Sequence, residues 1–104
     1  MSMATGILEV FGLVTAFVAC DAGCKAADVT VETFDKNKPG NPDELTVPLI
    51  VAVKFRGTVD NVTAAVEAAK NAANGVSGVV TTHILTSVEP DTEYMLTINA
   101  FDKN

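Results

Sequence analysis

Two rhythms of apolar positions alternate along the chain. Gly6-Ile7-Leu8-Glu9-Val10-Phe11 is a short run suited to a pleated surface, and it stops at Gly12. Leu13, Ala16, Phe17, Cys20, Cys24 and Ala27 then recur at spacings of three and four, which predicts the buried stripe of an amphipathic helix. Asp21 and Lys25 sit four apart on that helix, acid before base, the favourable order for such a pair. Val29, Val31 and Thr33 alternate in a second strand ending near Phe34. From Asp35 to Pro48 both rhythms stop. Lys36, Asn37, Lys38, Pro39, Gly40, Asn41, Pro42, Asp43 and Glu44 are turn formers and charges, which predicts a long exposed loop over 35–48.

The order then restarts. Leu49, Val51, Val53 and Phe55 alternate with Ile50, Ala52, Lys54 and Arg56 in a third strand closing at Gly57. Thr58 or Asp60 can cap a helix whose stripe is Val59, Val62, Val66, Ala69 and Ala73, with Asn74-Gly75 as its stop. Val79 to Thr86 reads as a fourth strand. An offset of 45 residues lays Gly12 on Gly57, Lys25 on Lys70 and Ala27 on Ala72. Strand, glycine, helix and strand occur twice. This βαββαβ order predicts one α+β, ferredoxin-like domain over 1–104: a four-stranded antiparallel sheet with two helices on one face. The variable tail, 91–104, fits two patterns. Tyr94, Leu96, Ile98 and Ala100 alternate as a strand, while Tyr94, Ile98 and Phe101 could line a short helix.

Composition narrows the function classes. Hydrophobic residues make up 48% and charged residues 19%, against about 25% charged in a typical soluble domain, so the chain is expected to fold rather than stay disordered. The net charge is −6 and Arg56 is the one arginine, which argues against nucleic acid and anionic membranes as partners. The longest apolar run, Leu13 to Cys20, is too short to span a bilayer. No targeting segment is visible, and the cytoplasm is the default. Val14, Val18, Ala19, Ala22, Gly23 and Ala26, with Ala64, Ala65 and Ala68, extend the apolar surface beyond one stripe per helix. That surplus predicts an oligomer.

Candidate chemistry is sparse. His83 is the single histidine and falls inside the fourth strand, where pairing with a neighbour is the simpler role. Cys20 and Cys24 offer two thiolates where a tetrahedral metal wants four ligands, so they are expected to be buried thiols, neither bridged nor metal-bound. Glu9 has no second carboxylate at catalytic spacing. Neither GxGxxG nor GxxxxGK[ST] occurs. No enzyme activity, metal or cofactor is expected.

These residues carry a resemblance. Gly6 to Gly12, followed by Asp21-Ala22-Gly23-Cys24-Lys25-Ala26-Ala27-Asp28-Val29, resembles the opening of bacterial microcompartment (BMC-domain) shell proteins. Phe55-Arg56-Gly57-Thr58-Val59 is similar to the family's second strand-to-helix joint, and His83-Ile84-Leu85 to the end of its last strand. The resemblance implies a homohexamer forming a flat tile, with many tiles and other shell proteins enclosing encapsulated enzymes. It further implies that Lys25, supported by Asp21, contacts the neighbouring tile and that 35–48 lines a central pore for small metabolites. Two features depart from the family pattern. The loop is long and charged, and Thr86-Ser87-Val88-Glu89-Pro90 lacks the arginine usual after the last strand. The implied subunit is therefore a specialised one that tiles poorly alone. The competing readings are a ferredoxin-like oligomeric module that binds a small molecule or regulates, and a small acylphosphatase-like hydrolase.

Overall fold

A computed structural model describes residues 3–98 of the chain. Strand β1 (Ala4–Phe11) leads into helix α1 (Leu13–Ala26), strand β2 (Thr30–Asn37), a single 3₁₀ turn (Pro42–Glu44) and strand β3 (Ile50–Gly57). Helix α2 (Val59–Asn74), strand β4 (Val79–Leu85) and a short helix α3 (Pro90–Leu96) follow. The four strands form one antiparallel sheet in the order β2-β3-β1-β4, the ferredoxin-like arrangement expected from the repeat.

Register decides which side chains enter the core. Gly6 pairs with Phe55, Leu8 with Val53 and Val10 with Val51, and all of these face α1 and α2. Val62, Ala65, Val66, Ala69 and Ala73 complete that core from α2. Val59, expected in the α2 stripe, is exposed at the first turn. The Thr58 hydroxyl caps α2 by accepting from the Asn61 amide at 3.2 Å. Gly75 ends that helix without a left-handed turn. Gly78 takes the positive φ instead, at 103°.

On α1 the buried residues are Thr15, Ala16, Ala19 and Gly23. The expected stripe is thus rotated: Ala16 keeps its place, Cys20 and Ala27 are half-buried, and Leu13, Phe17 and Cys24 are exposed. Small side chains explain the rotation. A Cβ at residue 23 would stand 3.0 Å from the Ala65 carbonyl oxygen, so α1 and α2 approach more closely than Leu13 or Phe17 would permit. Phe17 packs instead on Phe34 of β2, ring centroids 5.0 Å apart. The two cysteines are free, but only Cys20 is shielded even in part, which corrects the expectation of two buried thiols.

Gly12 joins β1 to α1 at φ 90°, a conformation that favours glycine, with its amide donating to the Leu49 carbonyl at 2.8 Å. Nearby, the Ser77 hydroxyl donates to the Phe11 carbonyl at 2.5 Å and so receives the Thr15 hydroxyl, also at 2.5 Å. Those bonds tie the start of α1 to the α2–β4 turn.

Strand β2 is longer than its alternation suggested. Asp35, Lys36 and Asn37 pair with Ala52, Val51 and Ile50, so the connecting loop begins at Lys38 rather than at Asp35. Backbone pairing with β3 extends the strand although its side chains are polar. The expected tail splits. Residues 90–96 are helical, and the strand alternative fails there; Ala100, Phe101 and the rest of 99–104 lie outside the described residues. No helix among the described residues is long and apolar enough to cross a membrane.

Candidate functional site

Three places hold defined chemistry, two of them exposed and one buried. The first is the end of α1, where the Lys25 ammonium lies 2.7 Å from the Asp21 carboxylate. Their side chains remain 76% and 63% exposed, so the pair is formed yet open to a partner. The hydrogen bond to Asp21, then its charge, raises the Lys25 pKa above the ordinary lysine value. Lys25 is therefore a fixed positive charge near neutral pH. The last turn of α1 also favours a cation there, beside the unpaired carbonyls. Leu13, Val14, Phe17 and Val18 add an exposed apolar face to the same helix.

The second place is the loop from Lys38 to Leu49. Lys38, Gly40, Asn41, Pro42, Asp43 and Glu44 are exposed, and Pro39 is half-buried. The tip is locally ordered: the Asn41 side-chain amide donates to the Glu44 carboxylate at 3.1 Å, and the Glu44 amide donates to the Asn41 carbonyl at 3.0 Å. Beyond the tip, Leu45, Val47 and Leu49 are half-buried and alternate with exposed Thr46 and Pro48. Val47 rests on Gly12, within 3.1 Å of where a Cβ would be. Leu45 and Val47 also line a groove of about 510 Å³ with Phe11, Val76 and Ser77. The loop thus has an anchored return leg and a polar tip. Lys36 and Asn37, expected in the loop, belong to the strand edge beneath it.

The third place was not anticipated. On the sheet face opposite α1 and α2, Lys54 and Arg56 are each only 5% exposed. A bulge in β2 sets Glu32 and Thr33 together opposite Lys54. The Lys54 ammonium donates to the Leu96 carbonyl at 2.9 Å and to the Ile98 carbonyl at 3.3 Å. Thr33 donates to the same Leu96 oxygen at 3.2 Å. The Arg56 guanidinium pairs with the Glu93 carboxylate, and Glu89 caps α3 by accepting from the Asp91 and Thr92 amides. Helix α3 is therefore clamped across the back of the sheet by two buried cations. Burial holds Lys54 below the ordinary lysine range, with Asp35 and Glu32 opposing that shift. The available signal was two cations alternating in an otherwise apolar strand.

The remaining candidates do not converge. His83 is exposed on that same back face opposite Ile7, and Glu9 is half-buried opposite Ala52 and Thr81. Among the described residues, no group of three or more His, Cys, Asp and Glu is placed to hold a metal ion.

Comparison with known proteins agrees with this architecture. The BMC-domain family model matches residues 4–88. The carboxysome shell protein CcmK2 of Synechocystis sp. is 37% identical over 100 residues, covering 94% of this chain and 88% of that protein. CcmK2 of Thermosynechococcus vestitus is 35% identical over the same length, covering 94% and 89%. A crystal structure of a microcompartments protein from Desulfitobacterium hafniense DCB shares the fold at a TM-score of 0.73 and 24% identity. It overlaps 96% of this chain, and the chain spans 49% of that longer one. A match through α1, α2 and all four strands, joined to relatives 35–37% identical over 100 residues, places the chain in the BMC-domain family of bacterial microcompartment shell proteins.

Proposed function

We propose that the chain is a non-enzymatic structural subunit of a microcompartment shell in the bacterial cytoplasm, built into the shell as a cyclic homohexamer beside other shell proteins. The family match over residues 4–88 carries this reading. Two structural features support it. Exposed Val14 and Val18 in the first half of α1 suit a subunit contact that leaves the Cys20–Cys24 side of the helix open, and the polar 38–44 tip suits a solvent-filled opening.

In this assembly Lys25 and Asp21 stand at the tile edge. The tip residues Lys38 to Glu44 stand around the six-fold axis, where small metabolites bound for the encapsulated enzymes pass. Lys36 and Asn37 flank that opening from the end of β2. Mixed charges at the tip keep the passage hydrated. The role assigned to the described residues is structural rather than chemical.

Electron cryomicroscopy of the purified protein tests the reading. Six-fold particles with the 38–44 tips nearest the axis and Lys25 at the rim are expected. Particles with Lys25 buried between subunits of one ring, or with the tips at the rim, would overturn the placement.

A further inference from the structure

Cys20 and Cys24 stand four residues apart on α1, so they share one face with Cβ atoms about 5–6 Å apart. Their surroundings differ. Cys20 is half-buried and packed against the core, while Cys24 is exposed. The inner sulfur is held by packing and the outer one opens the pair to solvent. The two sulfurs also sense each other: burial first, and Cys24 second, push the Cys20 thiol up to about 11. Cys20 therefore keeps its proton near neutral pH and is a poor nucleophile by itself. A centre that displaces the protons of both sulfurs together can still bind.

The surroundings limit what that centre is. No third His, Cys, Asp or Glu completes a metal-holding group among the described residues, so a tetrahedral zinc site or an iron–sulfur cluster lacks its ligands. The adjacent Asp21 carboxylate is engaged by Lys25. Sulfur ligands select soft partners. An organoarsenic(III) centre carries its own carbon substituent and needs two sulfurs only.

We propose that Cys20 and Cys24 form a two-thiol site on the outer face of α1 that takes a trivalent organoarsenical. With an arsenoxide R–As=O, two As–S bonds form and the As=O bond breaks. The two thiol protons leave with the oxygen as water. Arsenic stays trivalent, so no oxidant or reductant is involved. The helix holds the second sulfur beside the first, which makes the second bond intramolecular.

Intact-mass spectrometry of the folded protein after phenylarsine oxide, followed by a wash with excess monothiol, tests the site. The wild type should retain one C6H5As per chain with loss of two hydrogens, and release it to 2,3-dimercaptopropanol. Cys20→Ser and Cys24→Ser should each bind roughly 100-fold more weakly, the low end of what tethering a second contact contributes. Cys24 is exposed, so Cys24→Ser reports on binding even if Cys20→Ser disturbs the core; far-UV circular dichroism checks both. An adduct that survives the monothiol wash equally in either single-cysteine variant would overturn the proposal. So would a folded wild type that retains none.

Discussion

A Cβ on residue 23 would lie 2.5 Å from Cζ of Phe55, so the Phe55 ring occupies the space that a side chain at Gly23 would need. Glycine inside a helix ordinarily costs about 1 kcal/mol relative to alanine. At this position the usual preference reverses. Gly23→Ala is expected to destabilise the protein by about 1–3 kcal/mol, the typical cost of overpacking a filled core. Chemical denaturation measures it. Adding Phe55→Leu should recover part of the loss, because it removes the ring that the new methyl meets.

The clamp beneath α3 makes stability depend on acid. Arg56 first, through its hydrogen bond, holds the Glu93 carboxyl below its ordinary value of 4.5. A carboxyl lowered in the folded state stabilises above its unfolded pKa, and that contribution fades as pH falls through the folded value. Glu93→Gln should therefore be less stable than wild type at neutral pH, with the gap closing below pH 4.5. Thermal melts across that range follow it. A gap that stays constant into acid would show that the carboxylate charge is irrelevant to the clamp.

Element order was legible in the residues because both rhythms are repeated. Gly12 and Gly57, Lys25 and Lys70 mark the same points in two units, and the sheet order follows from that repeat. The buried face of α1 was not legible. Periodicity favours the stripe with the largest residues, Leu13 and Phe17, whereas close approach to α2 selects Ala16, Ala19 and Gly23. The end of β2 was hidden for another reason: Asp35, Lys36 and Asn37 are held by backbone pairing with β3, which side-chain polarity does not report. Lys25 and Asp21 were legible as an i,i+4 pair, and the structure forms that pair. The α3 clamp joins residues 37 to 44 positions apart, a separation that local pattern cannot bridge.

The loop tip should be dispensable for folding. Strand pairing runs as far as Asn37 and Ile50, and the apolar return leg starts only at Leu45. Replacing 38–44 with a short Gly-Ser turn should leave the melting temperature and particle mass per subunit nearly unchanged, since modest changes in loop length cost about 0.6 kcal/mol per doubling. Loss of folding would make the tip structural and remove the basis for placing it at an opening.

Flat tiling by this subunit alone should be weak at low salt. Lys25 is present at the proposed edge, but Val88, Glu89 and Asp91 stand where the family usually has an arginine, and Glu89 is committed to capping α3. In the proposed hexamer, six copies at −6 each would bring −36 to a tile, so the field around it would oppose association. Added salt should promote sheets, because exposed charges are screened beyond about 8–10 Å. Negative-stain microscopy over a salt series shows the outcome. Extended sheets at low salt that vanish in Lys25→Ala would mean that the edge works without the arginine.

Native mass spectrometry of the purified protein tests the central claim most directly. At micromolar concentration the account predicts one dominant species with six times the 10.8 kDa chain mass, held together by a closed ring of apolar contacts. A stable monomer or dimer under the same conditions would contradict it.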